Sequence, residues 1–256
     1  MTVRTSTPHQ STTADVLRAA LCVLTLTPLL RWTVMHHSVP AGEPWQRTCP
    51  RCGVSLGPRG NLRALSPLAR CGNCRHRLGP PPWTLEAATV ASFAALVWPG
   101  LTRLPLAAYL CWAAIGVVLA FVDIAVQRLP ARLSYTAAAG LLLPLLGHAQ
   151  LSHDWQPWIR AALGAVITAA VAAACALAMP GMVHWGDVRY ALAVGAAAAW
   201  VGWLAIYAAI FLATLMAALV GLALLALRRA SLTTQLPLGP FLYTGTLVAV
   251  ILLPPL

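Results

Sequence analysis

Two carboxylates stand where an apolar chain tolerates them least. Asp123 lies near the end of the run CWAAIGVVLAFVDIAVQRLP, and Asp187 lies at the start of another, in MPGMVHWGDVRYALAVG. An ionisable group carried into a membrane span costs about 2.5–3.5 kcal/mol on insertion scales, so it is a candidate for function by default. Either one alone reads equally well as an interfacial carboxylate paired with Arg128 or Arg189. A second chemistry-bearing set is CPRC at 49–52 and CGNC at 71–74, with 18 residues between them. Each CxxC is a tight knuckle that aims two thiolates at one point. Two knuckles supply the four sulfurs of a tetrahedral zinc site, with ligands Cys49, Cys52, Cys71 and Cys74. Four thiolates leave no open coordination position, so this zinc is expected to be structural. Two disulfides are the alternative, and a cytoplasmic placement argues against them. The remaining Cys22, Cys111 and Cys175 are single residues in apolar runs and read as small packing residues.

The elements that carry these groups follow from composition. The 256 residues are 59% hydrophobic and only 9% charged, against about 25% charged in a soluble domain. This excludes an ordinary soluble globule and predicts an all-α, polytopic membrane bundle, because lipid offers no partner to unpaired backbone groups. Residues 1–15 are polar and are expected to be loose. Residues 16–34 are expected to form a first span, although Arg18 and Arg31 leave only about a dozen clean residues between them. A signal peptide is the rival reading, but no small-residue cleavage site follows. Residues 35–82 form a polar insert that contains the four cysteines, and residues 83–256 form the rest of the bundle. Polar breaks divide that part into segments 85–101, 104–126, 132–150, 158–179, 188–204, 206–227 and 239–254, about eight spans in all. The run 188–227 has almost no break to mark its turn. Small residues over 161–178 and 191–202 would let helices pack closely.

All 17 basic side chains are arginine. With the insert in the cytoplasm and the spans alternating, thirteen of these arginines fall inside and four outside, the bias that fixes membrane orientation. The formal charge of +11 is thereby explained without nucleic acid, and none is expected as a partner. The arginine-rich insert reads as a solvated face resting near membrane lipid. In this topology Asp123 ends an inward-running helix and Asp187 begins on the inside, so both fall at the cytoplasmic membrane edge. Glu86, which directly follows the PPPW boundary, reads as an interfacial residue. Two carboxylates brought together do not readily both ionise, so one keeps a proton. The charged one can activate a water while the protonated one polarises a peptide carbonyl, which is aspartic-protease chemistry without a metal. Gly186 would permit close approach of a substrate backbone. Pro130 and Pro180 would end or bend neighbouring helices and admit water.

The two CxxC knuckles, DIAVQRLP, HWGDVRYALAVG, the late stretch LPLGPFLYTG and the spacing of 64 residues between the two Asp resemble the type IV prepilin peptidases, membrane aspartic proteases of the GxGD type. The likeness runs from about residue 44 to the end. It implies that Asp123 and Asp187 are the catalytic pair, and that the reaction removes the short basic leader from prepilin-like proteins at the cytoplasmic face of the cell membrane. It also implies methylation of the new N-terminus with S-adenosylmethionine, as many members perform. The chain departs from the pattern in several places. His184 stands where GxGD has its first Gly, Ala131 stands where an Asp or Asn usually follows LP, and Arg189 replaces a Lys. A Gly-Ser-Phe-type motif is missing from residues 16–44. His184 reads either as a structural neighbour of the pair or as a group that tunes its proton. Two other classes compete: a non-catalytic membrane assembly factor with the same fold, and a proton-coupled transporter that uses the two acids. Transport predicts polar groups along both halves of the bilayer, and the outer halves of these helices are nearly bare.

Overall fold

The computed structural model describes residues 9–40, 43–56, 62–179, 181, 183–229, 231 and 234–253; for residues 9–20, 22 and 24 only the backbone is described. Its order is α1 (His9–His37), a short 3-10 turn (Leu62–Leu65), α2 (Thr84–Val97), α3 (Arg103–Val126), α4 (Ala131–Ser152), α5 (Gln156–Ala178), α6 (Trp185–Val201), α7 (Trp203–Ala226) and α8 (Gly239–Leu252). No strand occurs among the described residues, only two isolated bridges. Three helices, α3, α5 and α7, are long and apolar enough to cross a membrane.

The starts and stops have local causes. α3 ends where Gln127 turns left-handed (φ 51°) and Pro130 caps α4 with extended φ/ψ. The run 188–227 is cut by Gly202 alone, in extended backbone between α6 and α7. α1 begins at His9, ahead of the expected start at 16, so part of the polar stretch expected to be loose is helical; residues 1–8 lie outside the described residues.

α5 and α6 pack backbone to backbone. A Cβ on Gly164 would strike Ala199, and one on Gly195 would strike Thr168 and the Gly164 carbonyl. Thr168 Oγ1 donates across the seam to the Ala191 carbonyl at 2.9 Å. This is the small-residue packing expected of helices in lipid. The core gathers Tyr109, Trp112, Leu119, Leu141, Tyr190 and the alanines of α6. α5 and α7 turn Val166, Val171, Tyr207 and Phe211 outward.

Within the insert the two CxxC knuckles are near-copies. Each is bracketed by an antiparallel bridge, Thr48 with Ser55 and Arg70 with Arg77. In each, the residue four after the first Cys donates back to that Cys carbonyl: Gly53 to Cys49 at 2.9 Å, Arg75 to Cys71 at 3.0 Å. Both take the left-handed conformation, at φ 70° and 55°, one with the glycine that suits it and one without. The cysteines rest on a small apolar core of Met35, Leu56, Ala64, Leu65 and Leu78, so the end of α1 forms part of the insert's floor.

Glu86 is buried and meets Arg31 in a two-pronged pair, Nε to Oε1 at 2.6 Å and Nη2 to Oε2 at 2.8 Å. Arg31 is 1% exposed, and its remaining N–H groups donate to the carbonyls of Pro67 and Pro80. A planar guanidinium can satisfy a carboxylate and backbone oxygens together, which makes such burial tolerable. Cys111 is exposed on the bundle but its Sγ would lie 2.8 Å from a Cβ on Gly140, and Cys175 is half-buried; the Cys22 side chain lies outside the described residues.

Candidate active site

The site sits at one end of the bundle, where α3 and α7 finish and α4, α6 and α8 begin. The insert shares this end, since the Arg132 guanidinium in the first turn of α4 lies 5.6 Å from the Trp45 ring centroid. A cavity of about 820 Å³ opens here, lined by the 127–131 turn, Gly181, His184, Gly186, Asp187, Arg189 and the 234–238 segment, with Asp123 in its wall. Thus Asp123, Asp187, Pro130, Gly186, His184 and Arg189, widely separated in sequence, share one cavity.

Both carboxylates are buried, at 4% and 7% exposure, and the same device holds each. Asp123 Oδ2 accepts from the Gly239 amide at 2.8 Å, the first amide of α8. Asp187 Oδ2 accepts from the His184 amide at 2.9 Å, across the first turn of its own helix. A helix start presents free N–H groups and the positive end of the helix dipole. Each carboxylate is therefore oriented by main chain through one oxygen. Among the described residues no hydrogen bond reaches either Oδ1. Neither Asp forms an ion pair with an arginine among the described residues, so pairing with Arg128 or Arg189 is not what the structure shows. The His184 imidazole is 3.9 Å from Asp187 Oδ2 and more than half exposed.

Gly186 lines the cavity and also packs against the α3–α4 turn. A Cβ there would lie 3.1 Å from Leu129 Cβ and 3.3 Å from its backbone N and O. Its bareness lets α6 close on the α3–α4 turn. Pro130 starts α4 and lines the cavity, consistent with a helix end that leaves room for water; Pro180 lies outside the described residues. Sequence reasoning missed the Gly239 amide and the bond from Gln127 Nε2 to the Gln235 carbonyl at 2.8 Å, which ties two walls of the cavity together. The Gly-Pro opening of α8 was the available signal, since Pro in the first turn marks a helix start.

The four cysteine sulfurs lie within 4.8 Å of one another. The Cys49–Cys74 and Cys52–Cys71 sulfurs are 3.6 and 3.7 Å apart, far beyond the ~2.05 Å of a disulfide. A tetrahedron with zinc–sulfur bonds of about 2.3 Å has edges of about 3.8 Å, so the set fits zinc. The Val54 amide pulls the Cys52 thiol below its ordinary range, and the Cys74 and Asn73 amides do the same for Cys71. Cys74 goes the other way: against the pull of the His76 amide, burial and the other three sulfurs push its thiol up to about 11.

No family model and no solved structure matches the chain. Curated proteins do. A prepilin leader peptidase/N-methyltransferase of Burkholderia pseudomallei is 30% identical over 210 residues, covering 77% of this chain and 64% of that protein. One of Aeromonas salmonicida is 29% identical over 216 residues, covering 79% of this chain and 70% of that protein. The chain thus spans somewhat under two thirds of the length of the Burkholderia relative. Over about three quarters of its own length the chain is a distant relative of proteins named prepilin leader peptidase/N-methyltransferase.

Proposed function

We propose that this chain is a membrane aspartic endopeptidase that removes the basic leader of type IV prepilin-like proteins at the cytoplasmic membrane face. The observation that carries the reading is the pair Asp123 and Asp187, brought from separate helices into one cavity, each fixed by a helix-start amide through a single oxygen. The distant relatives' names supply the substrate class. In this reading the ionised carboxylate takes a proton from water as its oxygen attacks the peptide carbonyl, while the protonated carboxyl donates to the carbonyl oxygen. Collapse breaks the C–N bond, and the proton gained from water goes to the leaving amine. The unencumbered Oδ1 atoms are the atoms available for these transfers. The zinc set lies outside the cavity and has no role in the steps; with a metal bound it would supply folding stability.

Methyl transfer enters through the relatives' names and the resemblance. The deciding assay incubates purified protein with a leader-bearing prepilin and labelled S-adenosylmethionine. Cleavage at the leader junction is the expected result, and label on the new N-terminus reports methylation separately. No cleavage by correctly inserted protein overturns the peptidase reading.

A further inference from the structure

Three buried polar atoms find no hydrogen-bond partner among the described residues: Trp112 Nε1, the Tyr190 hydroxyl and the Tyr243 hydroxyl. Their side chains belong to one cluster around Gly116. The Trp112 and Tyr243 rings lie 5.3 Å apart, tilted by 37°. Gly116, one turn along α3 from Trp112, faces both tyrosines: a Cβ there would come 2.5 Å from Tyr243 Cδ2 and 3.2 Å from the Tyr190 hydroxyl oxygen. Ser92 stands near the Tyr243 hydroxyl, and its own hydroxyl donates to the Ala88 carbonyl at 2.8 Å.

The three groups come from the three helices that hold the carboxylates. Trp112 shares α3 with Asp123, Tyr190 shares α6 with Asp187, and Tyr243 belongs to α8, whose first amide holds Asp123. At about 1.5 Å per residue, Tyr190 is three residues and about 4.5 Å beyond Asp187, Tyr243 four residues and about 6 Å beyond Gly239, and Trp112 eleven residues and about 16 Å from Asp123 along α3. A buried donor without a partner loses its hydration with nothing in return, and in lipid no bulk water restores it. Buried waters typically make about three hydrogen bonds, to polar groups otherwise unsatisfied.

We propose that Trp112, Tyr190 and Tyr243 enclose a binding site for one ordered water, which joins α3, α6 and α8 deeper in the bundle than Asp123 and Asp187. The water accepts from Trp112 Nε1 and exchanges hydrogen bonds with both phenols. It fixes the spacing of the helices on which the two carboxylates depend.

The test uses the full chain in detergent, with Trp112→Phe, Tyr190→Phe, Tyr243→Phe and the Tyr190→Phe/Tyr243→Phe double variant. Each single change strands the other members of the site. It is expected to lower the melting temperature by roughly 2–4 °C, and the double variant should fall little below the worse single one, because both act through one water. Unchanged or raised melting for any of the three singles overturns the shared site, since deleting an unsatisfied donor is then neutral or beneficial. A double variant that shows the summed loss overturns it too, because the phenols then have separate partners. A direct arm is a structure at about 2 Å resolution: density within hydrogen-bonding reach of all three atoms supports the site, and its absence overturns it. None of these readouts depends on peptidase activity, so the water site and the proposed function fail separately.

Discussion

Asp123 and Asp187 each give Oδ2 to a main-chain amide, and among the described residues no hydrogen bond reaches either Oδ1. Asparagine keeps the size of the side chain and can turn its oxygen to the same amide, but it can neither carry the charge nor pass the proton. Asp123→Asn and Asp187→Asn should therefore each leave insertion and melting near normal and cut leader cleavage by roughly 100- to 10,000-fold. Groups that act as a unit lose as much singly as together, so the double variant should be no worse than either single one. Near-normal cleavage by either single variant would remove that residue from the pair. His184 separates main-chain from side-chain work at one position. Its amide holds Asp187 at 2.9 Å, while its imidazole stays 3.9 Å away and largely in solvent, where charge effects are screened. His184→Gly keeps the amide. Cleavage within a few-fold of the parent, with a pH profile of unchanged shape, is the expected outcome; a hundred-fold loss would show that the imidazole itself takes part.

At the scale of elements, the site depends on helix starts meeting a buried side chain. A Cβ on Gly239 would lie 2.9 Å from Asp123 Oδ2 and 3.3 Å from its Cβ, so Gly239→Ala must push α8 away from the carboxylate it orients. A displacement near 1 Å costs on the order of 100-fold in rate. The variant should fold, bind substrate and lose roughly 10- to 100-fold in kcat; full activity would show that the amide contact is dispensable. The helices themselves were legible because apolar runs between Pro, Gly and charged breaks must be helical in lipid, and the expected spans lie within a few residues of α2 to α8. The turn at Gly202 was not, because a single extended glycine leaves no polar mark. The cavity's carboxylates were legible by their cost, and the amides that hold them were not, because every residue but proline has one. The Arg31–Glu86 pair was hidden by a sequence separation of 55 residues. It carries its own prediction. Arg31→Met leaves Glu86 buried and unpaired, which costs about 3–5 kcal/mol, whereas Arg31→Met with Glu86→Leu removes both charges and should recover most of the melting temperature. A double variant as unstable as the single would show that Arg31 acts mainly through the Pro67 and Pro80 carbonyls.

The whole molecule joins a metal-ready module to a helical bundle, and the join reaches the cavity. Met35 at the end of α1 lies in the floor beneath the cysteines, and Arg31 ties α1 to Pro67 and Pro80 of the insert. Trp45, just before the first knuckle, contacts His36 and His37 of α1 at 4.4 and 4.8 Å and takes the Arg132 guanidinium over its ring. Arg132 is next to Ala131 and Pro130, which line the cavity. The module therefore supports one wall of the site without supplying a reacting group. Purified, reduced protein should contain about one zinc per chain. Removing it with a chelator, or introducing Cys49→Ser, should unfold the knuckles, because metal binding and local folding are one equilibrium. Proteolysis should then cut within residues 43–82 while the bundle stays intact. Cleavage should weaken chiefly through a higher KM, since the carboxylates keep their amides and only a supporting wall is lost. Equal protease resistance with and without metal would show that the insert's apolar core holds alone. A metal-free protein inactive in kcat to the same degree as Asp123→Asn would place the cysteine set inside the reaction instead of beside it.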